Sequence, residues 1–203
     1  MKGAEQVKIM RKVLIVPAML VLATFAAAEN RLFVSAGASF LRPADEAYRT
    51  VYGNQAVFPE FSVSIRVVRG LCLSGSLGQF SRKGTTPELG LETRANQSYI
   101  SYGLSYLLRV SPTLCLQAGG GLASLRFREE AFDEEVKGHR SGYKIEGGIL
   151  LVPEDERVFM GLTVGYISAR VPAEAFTPAL AQPLRLGGIK IAVSIGVQIF
   201  GGE

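Results

Sequence analysis

From Gly187 to Phe200 the chain reads GGIKIAVSIGVQIF, with an aliphatic residue at every second position: Ile189, Ile191, Val193, Ile195, Val197 and Ile199. Between them stand Lys190, Ala192, Ser194, Gly196 and Gln198. A period of two is the mark of a β-strand with two unlike faces. The same period recurs in Arg31–Arg42, Phe61–Val67, Leu71–Phe80, Ser98–Arg109, Thr113–Phe127, Ser141–Val152 and Arg157–Arg170. The pattern therefore predicts an all-β chain of eight strands.

The connections alternate in length. Arg69–Gly70, Ser111–Pro112 and Pro153–Glu156 are short and carry the Gly, Pro and Asp that tight turns favour. Pro43–Pro59, Lys83–Thr93, Glu129–Arg140 and Val171–Leu186 are long. Strict short–long alternation places all tight turns at one end of an up-and-down antiparallel sheet and all long loops at the other.

Which face is inside follows from side-chain size. The non-aliphatic face is built of residues such as Ser35, Gly37, Ser62, Ser74, Ser101, Gly103 and Ser194. A water-facing sheet has room for bulk and gains strand propensity from it. Small residues suit instead the narrow axis of an eight-stranded barrel, whose bore side chains just fill. The aliphatic face then points outward into lipid, where a closed barrel pairs every backbone hydrogen-bonding group. The competing arrangement, a soluble lipocalin-type barrel with aliphatics inward, is disfavoured because charges gather in loops and at strand ends. Tyr102, Tyr106, Tyr143 and Tyr166 fall on the outward face and suit the membrane–water boundary. Gly119-Gly120-Gly121 is expected to mark a bulge or a close backbone approach, with Leu125 and Phe127 changing parity beyond it.

The first 28 residues change the reading of charge. Lys2, Lys8, Arg11 and Lys12 precede an apolar run from Val13 to Phe25 and the small residues Ala26, Ala27 and Ala28. This is the layout of a cleavable signal peptide, leaving 29–203 as the barrel domain. Removing the leader takes four basic residues and one acidic residue and lowers the formal charge from +4 to +1. The basic balance thus belongs to export, and no nucleic-acid partner is implied. At 48% hydrophobic, the chain is not a disordered one.

Leader, eight alternating strands, short turns and a closing aliphatic strand together resemble the small outer-membrane β-barrel superfamily of OmpA/OmpX/OmpW-like proteins. The resemblance implies a Gram-negative outer-membrane location, contact with outer-membrane lipid, tight turns and both termini toward the periplasm, and long loops outside. It also implies insertion by the barrel-assembly machinery, which reads a terminal aromatic residue. Phe200 fits that role, although Gly201, Gly202 and Glu203 follow it.

Four charges fall on the small-residue face: Arg66, Lys144, Glu146 and Lys190. Buried charges must be paired, so a lumenal cluster is expected with Glu146 near the basic groups. It reads either as an ion pathway or as a salt-bridge plug, and the narrow bore favours the plug. His139 and Ser141 resemble the His-x-Ser pair of the lipid A 3-O-deacylases, which are also barrels. The carboxylate that would orient the imidazole is lacking on that face, however, since Glu146 has opposite parity. No catalytic residues are assigned and no enzyme is predicted. Cys72 and Cys115 belong to strands with a third between them, a separation of about 10 Å that exceeds disulfide reach. The acidic run around Glu129, Glu130, Asp133, Glu134 and Glu135 reads as a solvated loop. No metal-ligand spacing or phosphate-cradling glycine motif occurs, so neither metal nor cofactor is expected. The functional expectation is a structural or surface-interaction role, in adhesion or envelope integrity, through loops 43–59 and 171–186. A narrow porin-like channel is the alternative, and lipid A modification a weaker one.

Overall fold

A computed structural model describes residues 32–86, 90–131, 134–153, 157–172 and 183–199. The leader 1–28, the acidic turn residues 154–156, most of the loop 171–186 and Phe200 lie outside the described residues. Eight strands form one closed antiparallel barrel in sequence order. They are β1 (Leu32–Pro43), β2 (Ala56–Val68), β3 (Leu71–Thr85), β4 (Glu92–Arg109), β5 (Leu114–Ala131), β6 (Glu134–Leu151), β7 (Val158–Val171) and β8 (Leu184–Gln198). Closure is made by β1 on β8, from Phe33 opposite Gln198 to Pro43 opposite Gly188. Among the described residues a single short helix, α1 (Glu46–Tyr52), interrupts the connection from β1 to β2.

The tight turns sit where their residues dictate. Arg69 (φ 35°) and Gly70 (φ 94°) both have positive φ, the requirement of the two-residue hairpin turn that matches strand twist. At the other end the strands outrun expectation. β5 and β6 continue in unbroken register to Ala131 opposite Glu134, so the acidic run is largely strand rather than loop. β2 begins at Ala56, before Pro59, and the segment expected as a loop over 43–59 contains α1.

The aliphatic ridge faces outward. Ile100, Tyr102, Leu104, Tyr106 and Leu108 of β4 are all exposed, as are Ile189, Ile191, Val193, Ile195 and Val197 of β8. Ile100 to Leu108 covers about 27 Å of strand, or about 20 Å of bilayer at the usual tilt, close to the apolar band of outer-membrane barrels. Exposed aliphatic surface on this scale is stable only in hydrocarbon. The chain is therefore a transmembrane barrel of the outer-membrane type.

The expected parity change at Leu125 and Phe127 does not occur. Register between β4 and β5 is continuous from Thr93–Ala131 to Arg109–Cys115, without a bulge. Cys115, Ala123, Leu125 and Phe127 all point into the barrel and are buried. It is the chemistry of the two faces that inverts. Beyond the belt the exterior carries Arg126 and Arg128, while the interior becomes apolar, as in a water-soluble sheet. The glycine run does mark a close approach. Gly103 lies opposite Gly121, and a Cβ on Gly121 would stand 2.2 Å from the Tyr102 carbonyl oxygen and 2.5 Å from the Gly103 Cα.

Two outcomes follow. Gly121→Leu forces backbone apart inside a closed ladder and is expected to cost at least about 3 kcal/mol, the upper range of overpacking. Loss of the heat-modifiable gel shift of the folded barrel checks it. Leu104→Arg, in the middle of the belt, is expected to cost about 2–4 kcal/mol in reversible urea unfolding from phospholipid vesicles. The chain has no tryptophan, so circular dichroism is the readout.

Candidate functional site

The lumen is stacked in three layers. At the turn end Phe33, Cys72, Leu107, Cys115, Leu150 and Phe159 form one buried apolar cluster. Phe33 and Phe159 meet edge to face, with centroids 5.8 Å apart. Both cysteines are free thiols within this cluster. At the loop end a larger cluster includes Leu41, Phe58, Phe80, Tyr99, Leu125, Phe127, Ile167 and Leu186.

The helix α1 closes the loop end. Asp45 caps it by accepting a hydrogen bond from the Tyr48 backbone N–H at 3.0 Å. Its other carboxylate oxygen accepts from the Arg185 N–H at 3.1 Å, which ties the cap to β8. Tyr48 and Tyr52, one helical turn apart, both point into the barrel mouth and are buried. Tyr48 meets Phe127 at 6.4 Å between centroids, and Thr93 donates to the Tyr52 hydroxyl at 2.8 Å. The Tyr52 hydroxyl in turn donates to Glu129. Burial, reinforced by the Glu129 carboxylate, raises the Tyr52 phenol above its ordinary value, so it stays a donor. The helix thus reaches from its own hairpin across to β4 and β5.

Between the apolar layers lies a band of charge and hydroxyls. Lys190 Nζ donates to both carboxylate oxygens of Glu60, at 2.5 and 2.7 Å. Lys144 Nζ pairs with Glu146 at 2.7 Å and donates to Ser76 Oγ at 2.8 Å. Cross contacts of 3.9 Å from Lys144 to Glu60 and 3.8 Å from Lys190 to Glu146 close the four charges into one ring. Ser39 also donates to Glu60. Lys190 is 1% exposed, and two cations against two anions leave the band neutral. Two lumenal cavities of about 60 and 40 Å³ adjoin it, each with space for one or two waters.

Of the residues singled out from the sequence, Lys144, Glu146 and Lys190 come together and Arg66 does not. Arg66 shares their face but lies six residues down β2 from Glu60, roughly 20 Å along the strand. There its guanidinium sits 5.6 Å from the centroid of the Phe33 ring, near Arg69 and Arg109 at the turn-end mouth. Parity fixes a face and not a height. The partner absent from the sequence expectation is Glu60, because Pro59 reads as the end of a loop. Continued alternation through Ala56, Phe58, Glu60 and Ser62 was the available signal. So was the imbalance of three expected cations against one anion.

His139 and Ser141 both lie on the outward face, but the imidazole Nε2 is 2.7 Å from Ser124 Oγ instead. The imidazole of the His-x-Ser pair is thus partnered by Ser124 of the neighbouring strand and not by Ser141. Among the described residues no group of three or more potential metal ligands gathers.

No family model and no curated protein sequence matches the chain. Solved structures share its fold. The attachment invasion locus protein Ail of Yersinia pestis, in complex with the heparin analogue sucrose octasulfate, aligns with a TM-score of 0.55 at 11% identity, covering 85% of this chain and 100% of that one. Neisserial surface protein A aligns with a TM-score of 0.57 at 14% identity, covering 83% and 97%. The N-terminal β-barrel domain of Pseudomonas aeruginosa OprF aligns with a TM-score of 0.53 at 13% identity, covering 84% and 98%. The fold is that of small eight-stranded outer-membrane barrels.

Breaking the ring on one side strands a buried charge. Glu60→Gln is expected to destabilise the barrel by about 3–5 kcal/mol, whereas Glu60→Gln with Lys190→Met recovers most of that loss. A double-mutant cycle in vesicle-based unfolding measures both.

Proposed function

We propose that the protein is a surface barrel that acts through its loop end, in adhesion or envelope integrity, rather than by passing solutes through its axis. The observation that carries this reading is the obstructed lumen. Apolar clusters narrow both ends, and the Lys–Glu ring crosses the middle with only small cavities of about 60 and 40 Å³ beside it. The helix α1 is packed across the loop-end mouth, and the widest space, about 300 Å³, lies at the turn-end mouth. An obstructed axis leaves the exposed end of the scaffold as the place for interaction, which is where binding segments on rigid scaffolds concentrate. The exposed part of the segment 43–59 and the loop 171–186 are the binding elements in this reading. The likeness to Ail and to Neisserial surface protein A supports it at the level of the scaffold. Export through the leader 1–28 and insertion by the barrel-assembly machinery complete the proposal.

The competing reading, a narrow channel, draws on the small cavities beside the charge ring. Planar-bilayer recording separates the two. Expected is no steady conductance from the wild-type barrel, together with a several-fold fall in attachment of expressing cells when either loop is replaced by a short Gly/Ser linker. Steady conductance abolished by Glu146→Ala, with attachment unaffected by loop replacement, would falsify the surface role.

A further inference from the structure

The outward face of β3 to β6 changes character row by row, in register. Leu122 of β5 stands beside Tyr102 of β4 and Tyr143 of β6, all three exposed, one row inside the edge of the aliphatic belt at Leu77 and Ile100. In the row beyond that edge, Gln79, Ser98, Arg126 and His139 lie side by side across the four strands. In the next row stand Ser81, Asn96, Arg128 and Lys137. Adjacent rows are about 6.6 Å apart along the strand, so both polar rows lie at the depth of lipid headgroups. A groove of about 530 Å³ opens on these rows, lined by Arg126, Arg128, Lys137, His139, Asn96 and Ser98 among others.

Charge in this patch is ordered by height. The two rows at headgroup depth contain cations and neutral donors and no carboxylate. The acids come one row later, at Glu130 and Glu135. There Glu130 pairs with Arg128 at 2.8 Å, and Glu135 pairs with both Arg128 and Lys137. These pairs hold Arg128 and Lys137 in place. Arg126 is exposed and enters no ion pair among the described residues. Ser124 holds the His139 ring at 2.7 Å beside it.

We propose that this groove binds the phosphate of a phosphorylated glycolipid from the surrounding outer leaflet, with Arg126 as its principal anchor. A guanidinium with free donors takes a phosphate bidentately, and the flanking amide and hydroxyl groups add further donors. The groove opens sideways, on the same face as the belt. An amphiphile seated there lays its acyl chains over Ile100, Leu122 and the tyrosines, whereas a soluble sugar phosphate gains nothing from that apolar surface. The site is separate from the loops of the proposed surface role and stands whether or not those loops bind anything.

The test uses the full barrel in phosphatidylcholine nanodiscs doped with a bisphosphorylated lipid A-type glycolipid or with its phosphate-free form. Lipid retained after gentle detergent release is counted by native mass spectrometry. Expected is retention of the phosphorylated form about tenfold above the phosphate-free form, falling to that background in Arg126→Glu. Arg170→Glu, an exposed charge reversal on β7, is expected to retain the lipid as wild type does, and the heat-modifiable gel shift verifies that each variant is folded. Equal retention by wild type and Arg126→Glu would overturn the proposal. So would displacement of the glycolipid by an equimolar soluble sugar phosphate, which would make the groove a site for free anions.

Discussion

Hydrocarbon offers no partner to a peptide N–H, and the fold is organised around that fact. Every strand must pair on both sides, so the last must return to the first, as β8 does to β1. Eight strands fix the bore, and the bore fixes the side chains that fit it. Glycine faces glycine at Gly103 and Gly121 because nothing larger fits between their backbones. With the axis filled by small and polar groups, the bulky aliphatics can only face outward, where lipid accepts them.

Height along the axis is the second coordinate. Within the membrane the lumen holds its polar groups as a neutral ring of two lysines and two glutamates, since an unbalanced charge there has no water to solvate it. Apolar layers above and below separate that ring from bulk water, leaving only the two small cavities beside it. Past the membrane the arrangement reverses. The interior becomes an aromatic and aliphatic core capped by α1, and the exterior becomes polar. One continuous register thus crosses from a lipid-solvated barrel to a water-solvated one without a bulge at the crossing.

The barrel was legible in the sequence because its signal is a period. Alternation marks strands wherever they are, and the run of small residues on one parity orients the faces. Heights and partners were less legible. Arg66 has the right parity and the wrong level, so it stands at the turn-end mouth and not in the ring. Glu60 was hidden behind Pro59, although a proline can stand in a strand where its missing N–H is not called upon. Leu125 and Phe127 suggest a parity shift on the premise that apolar residues face lipid throughout. That assumption fails where the strands extend into water. The strand extensions through the acidic run were invisible for the same reason, since charge on an outward face reads as loop.

In the proposed reading, the barrel places its interactions on its exterior, at the loop end and along the rim that meets the leaflet. Both depend on the sorting of faces by depth. Nitroxide labels placed in turn at Ile100, Leu104, Leu108, Ser98 and Asn96 of β4, in the reconstituted barrel, measure that sorting directly. Expected is high oxygen and low aqueous-nickel accessibility from Ile100 to Leu108, reversing at Ser98 and Asn96. Labels on Ile100 to Leu108 that are readily reached by the nickel complex would contradict it.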